Sequence, residues 1–241
     1  MELDIFKIID SDTNRSFLYG DGFFDTLLID NLNFKNYDIH YQRNFKSAQI
    51  LGMEWKNEWT TDYFLNLIKE IYSKSSGKTI KLRFTFYRNS YGGYSPENNS
   101  MGFSIKIEPY LIRKPKILKT CIYKKSSKQC NFFSNIKSTS ALLYVMAALE
   151  MKKNECDEII ILNEFGRICE SLNSNIYIKK NNVFYTPPLS EGCVDGTFRT
   201  QMLKGDFGYN VIEKPLKIEE LNEYEFYFSN AVKGLTSGIL I

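Results

Sequence analysis

Histidine is nearly absent. A single residue, His40, serves a chain of 241 residues, which argues against a Ser-His-Asp triad and against a histidine-based metal site. Cysteine is sparse and unpatterned: Cys121, Cys130, Cys156, Cys169 and Cys193 are odd in number and widely spaced. They show neither metal-ligand nor disulfide spacing, so a reducing, cytoplasmic setting is expected. No apolar run approaches the roughly 20 residues that span a bilayer, so no membrane partner is expected. The N-terminus, MELDIFKIID, is acidic and alternating rather than signal-like. Charge of one sign is also lacking. The net charge is +3 with scattered basic residues, so no nucleic-acid partner is expected. The short cluster Lys124-Lys125 reads as a solvated edge.

What is present is core-forming sequence. A hydrophobic content of 43% is enough for one large domain or two small ones. The pattern predicts strands near 2–9, 17–30, 79–89 and 101–108, with helices near 38–52 and 60–74. The stretch 88–102, RNSYGGYSPENNSMG, reads as a loop. Pro109 and Pro115 mark a linker, because proline removes a donor and turns its predecessor away from helix. Beyond it the pattern predicts a strand at 118–124, a helix at 139–153 and a strand–turn–strand unit over 158–178. A strand at 182–186, a turn at Thr186-Pro187-Pro188, a helix at 196–205 and strands near 209–215 and 225–230 follow. The expected fold is α+β in two parts. These are a smaller N-terminal domain over 1–107, a linker over 108–118 and a larger C-terminal domain over 119–241, with any ligand in the cleft between them.

The run EIIILNEFGRICESLNSNIYI, 158–178, turns at Asn163-Glu164-Phe165-Gly166 between arms rich in β-branched residues. Its return arm carries one carboxylate, Glu170. Such a group costs desolvation energy unless a cation or donor meets it. Upstream, Lys137 stands ahead of a helix with no other charge from Asn131 to Leu149. A lysine that attacks a carbonyl must lose its proton, which desolvation or a nearby cation promotes. A carboxylate such as Glu170 can hold a pyridine nitrogen protonated and make the ring an electron sink. Gly196 and Thr197 open a helix, where backbone N–H groups and the helix dipole favour an anion. Arg43, on IHYQRNFKSAQILG, could reach a phosphate by a forked contact. Ser229, Asn230 and Ala231 could add donors. Taken singly, each has a plainer alternative: a surface lysine, a strand-edge carboxylate in water, a solvated helix arginine, a common Gly-containing loop or a turn after the last strand.

Together these segments resemble the class IV, fold-type IV pyridoxal-phosphate enzymes, in order along nearly the whole chain. That group includes branched-chain aminotransferases, D-amino-acid aminotransferases and aminodeoxychorismate lyases. YGDGFFDTLLI (19–29) resembles the family's N-terminal strand motif, and IHYQRNFKSAQILG its His-x-x-Arg helix. SNIKSTSALLY, DEIIILNEFGRICESLNSNIYI and TPPLSEGCVDGTFR resemble the segments bearing the cofactor lysine, the ring-nitrogen carboxylate and the phosphate loop. The resemblance implies pyridoxal 5'-phosphate as cofactor, in the interdomain cleft, and a homodimer with no metal. It places cofactor contacts on Arg43, Lys137, Glu170, Asn175, Gly196, Thr197, Asn230 and Ala231, with Lys137 also the proton shuttle.

Within the family, NSYGGYSP and FSNAVKG resemble aminodeoxychorismate lyases. Aminotransferases of the group usually place a phosphate-binding hydroxyl where Ala231 stands, and branched-chain ones a tyrosine where Leu142 stands, two residues before Tyr144. The resemblance therefore implies cleavage of 4-amino-4-deoxychorismate to 4-aminobenzoate, a folate precursor, and pyruvate. Arg83 or Arg88 would bind a substrate carboxylate, and Asp25 and Thr26 would line the substrate side. The alternatives are a transaminase of branched-chain L- or D-amino acids, and a non-catalytic binding protein on the same scaffold. The chain's last residues, Gly238-Ile239-Leu240-Ile241, are expected to follow a turn that family members extend with further strand or helix.

Overall fold

A computed structural model describes residues 12–31, 36–75, 77–112 and 116–241. The strand expected near 2–9 lies outside them. The chain divides into two compact units: residues 1–113 with 137–140, and residues 114–136 with 141–241.

Among the described residues of the first unit, a short helix, α1 (Arg15–Tyr19), comes first, where strand was expected from residue 17. Asn14 caps it by accepting from Phe17 N–H, and Gly20 ends it in a left-handed conformation. The strand proper, β1 (Gly22–Ile29), follows, then α2 (Tyr37–Ile50), α3 (Thr61–Ser73), β2 (Ile80–Arg88) and β3 (Met101–Pro109). The three strands form one antiparallel sheet in chain order. β2 alternates strictly between buried and half-buried residues, the period-2 signature of a sheet with one core face. That face carries Phe84 and Phe86, which pack with Phe64 of α3, Phe103, Trp55 and Trp59. Full burial of each such ring contributes roughly 1.5–3 kcal/mol.

The second unit carries β4 (Leu118–Lys128), α4 (Leu142–Lys153), β5 (Glu158–Asn163), β6 (Ile168–Ser171), β7 (Asn175–Lys180) and β8 (Val183–Thr186). After a 3₁₀ turn at Leu189–Glu191 come α5 (Thr197–Lys204), β9 (Asn210–Glu213), α6 (Glu220–Glu223), β10 (Glu225–Asn230) and β11 (Gly234–Leu240). Its eight strands run β6-β5-β4-β11-β10-β7-β8-β9. The expected strand–turn–strand unit is three strands, because a second turn separates β6 from β7. The chain's end also departs from expectation. Residues 234–240 are a full strand, antiparallel to β10 and parallel to β4 at Gly238–Leu118.

β5 is buried on both faces, as its unbroken isoleucine run requires. Ile160 joins Leu118, Ile176 and Phe228 on one side. Ile159 and Ile161 join Tyr123 and Ala147 of α4 on the other. The hairpin after β5 turns at Gly166, whose φ of +73° suits glycine. Asn163 Oδ1 accepts from Phe165 and Arg167 N–H at 3.1 and 3.0 Å, and its amide donates to Glu191 Oε2 at 2.7 Å. This rigid hairpin fixes the position of Glu170. No helix among the described residues is long and apolar enough to cross a membrane.

Candidate active site

In the first unit, residues 137–139 run beside β1 rather than opening a helix, and α4 begins only at Leu142. Phe24 N–H donates to Lys137 O at 2.9 Å, and Thr139 N–H donates to Gly22 O at 3.0 Å. These bonds place Lys137 with the N-terminal strands, although the segments before 137 and after 140 belong to the other unit. Its ammonium lies 4.6 Å from the centroid of the Phe24 ring. Arg83 lies against the same ring, with Cζ 3.6 Å from the centroid. Phe24, Thr26 and Arg83 share the sheet face opposite the aromatic core, since Thr26 pairs with Arg83 in register. Partial burial lowers the Arg83 pKa from its usual range, and Glu108 opposes the shift. Phe24 had not been singled out from the sequence.

Two expected substrate residues take other places. Asp25 has the opposite parity to Thr26 and is fully buried. Its carboxylate accepts from Thr26 N–H at 2.7 Å, Asn44 Nδ2 at 3.0 Å and His40 Nδ1 at 2.9 Å, and it pairs with the Arg43 guanidinium. It therefore anchors Arg43 and His40 and does not line a substrate pocket. Burial alone would raise its pKa, but Arg43 and His40 outweigh burial and hold the carboxyl far below the usual range. Arg88 is buried as well. It donates to Asp21 at 2.9 Å and to Leu51 O at 2.7 Å, and it pairs with Asn99. Those contacts pin the loop before β3 and remove Arg88 as a substrate contact.

In the second unit, Glu170 is 3% exposed. Its Oε1 accepts from Tyr144 Oη at 2.6 Å and pairs with the Lys128 ammonium, while Oε2 accepts from Val194 N–H at 2.8 Å. Sequence reasoning required a cation or donor for this carboxylate but missed Lys128 and Tyr144 as its partners. Burial alone would strip Lys128 of its proton; Glu170 and Tyr144 beside it reverse that and hold the ammonium charged. Asn175 Nδ2 donates to Val194 O at 2.9 Å. A Cβ at Gly196 would fall 2.0 Å from Asn175 Oδ1, so only glycine fits there. Gly196 is the N-cap of α5, with no side chain capping the helix, and Thr197 is buried at its first position. The last two residues of β10 have internal partners. Ser229 Oγ lies 2.9 Å from Tyr177 Oη, and Asn230 Oδ1 accepts from Val232 and Lys233 N–H at 3.0 and 2.8 Å. The Asn230 amide donates to Asn173 and Ser174, so this side chain organises the turn rather than offering a donor.

These residues fit pyridoxal phosphate. In the first unit a half-buried lysine lies on an aromatic ring. In the second, a buried carboxylate has one oxygen that accepts only a backbone N–H, and α5 starts at a glycine with no side-chain cap. The class IV amino-transferase model matches residues 22–239. The chain belongs to this family. Class IV aminotransferases are enzymes that work with pyridoxal phosphate, and the fold here is theirs. The chain is 25% identical over 222 residues to D-alanine aminotransferase from Bacillus licheniformis, covering 86% of itself and 74% of that protein. It is 29% identical over 194 residues to a probable branched-chain-amino-acid aminotransferase from Aquifex aeolicus, covering 76% of itself but only 61% of that protein. A solved structure from Legionella pneumophila, provisionally named 4-amino-4-deoxychorismate lyase, superposes with a TM-score of 0.86 at 19% identity, covering 100% of this chain and 89% of that one.

The Asp25 cluster gives a testable stability statement. Because the folded-state pKa is depressed, the carboxylate contributes stability at neutral pH, and that stability is lost as pH falls below roughly 4, the ordinary aspartate value. Asp25→Asn removes the buried carboxylate that pairs with Arg43 and is expected to cost on the order of 3 kcal/mol at pH 7. In urea unfolding, the gap from the parent protein narrows as pH is lowered below about 4. Equal stability of the two proteins at pH 7 would contradict this account.

Proposed function

We propose that this class IV enzyme is a lyase that cleaves 4-amino-4-deoxychorismate to 4-aminobenzoate and pyruvate. Lys137 would bond the cofactor aldehyde, Glu170 would accept the ring N–H, and backbone N–H groups at Gly196, Thr197 and Ala231 would meet the phosphate, with Arg43 as its cationic partner. When bound, the cofactor supplies an electron sink for charge that develops in the substrate. Lys137 Nζ takes the proton from the amine-bearing ring carbon and returns a proton to the departing enolpyruvate, which becomes pyruvate. Arg83 is suited to a substrate carboxylate, because its guanidinium lies against the Phe24 ring that Lys137 also approaches. Phe24 and Thr26 form the adjoining wall.

The observation that carries the choice of lyase is the turn after β10. Asn230 shapes it by accepting from Val232 and Lys233 N–H, and Ala231 brings no hydroxyl where aminotransferases of the group have one. The Legionella fold match supports the same reading. The second reading is a transaminase of branched-chain L- or D-amino acids. It is favoured by the names of the curated relatives, most of which are branched-chain aminotransferases. A panel assay separates the two. The lyase reading predicts pyruvate release from 4-amino-4-deoxychorismate and little conversion of the cofactor to its amine form by L-leucine or D-alanine. Lys137→Ala should reduce the release by orders of magnitude. Amino-acid-driven conversion without pyruvate release would establish the transaminase instead.

A second copy of this chain is the proposed partner. Leu142, Val145, Met146 and Leu149 lie at helical spacing on α4 and are 73, 52, 45 and 58% exposed. The opposite side of α4 buries Ala147 in the core. A helix apolar all round is normally covered on every side. The double variant Leu142→Glu/Leu149→Glu should elute as a monomer in light-scattering chromatography where the parent elutes as a dimer. A monomeric parent at micromolar concentration would refute the pairing.

A further inference from the structure

Lys128 is a buried cation that the proposed chemistry does not use. It ends β4, where the pairing with β5 becomes irregular after Tyr123 and resumes at Lys128–Asn163. Glu164 N–H donates to its carbonyl at 3.0 Å, so backbone pairing holds it in place. Its ammonium lies 5.5 Å from the centroid of the Tyr144 ring and pairs with Glu170 Oε1, the oxygen that also accepts from Tyr144 Oη at 2.6 Å. Three elements thus converge on one carboxylate: β4 through Lys128, α4 through Tyr144 and the segment before α5 through Val194 N–H. Both cationic and phenolic donors sit on Oε1. Oε2 takes a single backbone N–H.

We propose that Lys128, with Tyr144, is a positioning residue for the cofactor ring: the two occupy Oε1 of Glu170, so that Oε2 is the oxygen left to accept the ring N–H. The proposal rests on the reading of Glu170 given above. The titratable groups around Glu170 are Lys128, Tyr144, Cys169 and Cys193. Burial, reinforced by Glu170, raises the Tyr144 phenol far above its usual range, so it remains a donor. Burial pushes the Cys193 thiol up to about 12 and raises Cys169 as well. Lys128 is therefore the cation facing Glu170 within this group. Without it, a carboxylate in this buried place would face desolvation with neutral donors alone. Such a carboxylate takes up a proton at higher pH, and a protonated Glu170 could no longer hold the ring nitrogen charged.

The test is the pH dependence of the bound cofactor's absorption spectrum. The parent protein, loaded with pyridoxal phosphate, should keep one spectral form from about pH 6 to 9 as far as ring protonation is concerned. Lys128→Met should introduce a new transition within that range, Lys128→Arg should restore the parent profile, and Lys128→Met should add nothing in a Glu170→Gln background. A purely structural ion pair would lower the unfolding temperature and leave the profile unchanged; a Lys128→Met profile that superposes on the parent overturns the proposal. If Lys128→Met does not fold, Tyr144→Phe takes its place. It should shift the profile in the same direction by less, and an unchanged profile overturns the proposal equally. A parent protein that takes up no pyridoxal phosphate would overturn the reading of the whole site, whereas normal uptake with superposing profiles would overturn only the role of Lys128.

Discussion

A carboxylate with almost no access to water is the constraint on which the second unit's chemistry depends. Glu170 sits in a short strand between a hairpin and a second turn, where an unpaired charge would cost several kcal/mol. The structure meets that cost with an ammonium, a phenol and a backbone N–H, drawn from three separate elements. Each contact ties the carboxylate to a different part of the unit. Val194 also passes its carbonyl to Asn175, whose side chain closes on Gly196 at the start of α5. Glu170 and the start of α5, the proposed ring-nitrogen and phosphate contacts, are therefore linked through one short segment, 194–196.

The first unit solves the same problem with the signs reversed. Here carboxylates hold basic side chains in place. Asp25 holds Arg43 and His40 from beneath β1. Asp21 holds Arg15 and Arg88 at the strand's start, and Arg15 in turn donates to Gly92 and Gly93 carbonyls at 2.8 and 2.7 Å. The opposite face of the sheet is left to Phe24, Thr26 and Arg83, with Lys137 bonded alongside by its backbone. The lysine is thereby set on rigid strands, which suits the cofactor bond and proton transfer proposed for it.

Much of this was legible in the sequence, and the reasons for the rest are physical. The isoleucine run before Gly166 and the single carboxylate after it identify a doubly buried strand and a charge in need of partners. The motif order identified the family that the matched model shows. Periodicity also held information that was not used. In β1, Asp25 shares parity with Phe23 and Leu27, and in β2 Arg88 shares parity with Phe84 and Phe86, whereas Arg83 does not. Parity alone separates the arginine on the Phe24 face from the one locked in the core. Lys128 was invisible for a different reason. It lies in KKSSK beside two exposed lysines, and only the irregular pairing of β4 turns it inward. β11 was missed because GLTSGIL carries two glycines and two hydroxyl residues, and its strand character comes from neighbours on both sides, which no local pattern encodes.

The central proposal is that Glu170, held in its buried place by Lys128, Tyr144 and Val194 N–H, keeps the cofactor's pyridine nitrogen protonated. Nitrogen-15 NMR of the protein loaded with ring-labelled pyridoxal phosphate measures that state directly. The account predicts a protonated-ring signal that persists to a pH at which the free cofactor has lost the proton, and its loss in Glu170→Ala. A deprotonated ring in the parent protein at neutral pH, or a signal indifferent to Glu170, would contradict it.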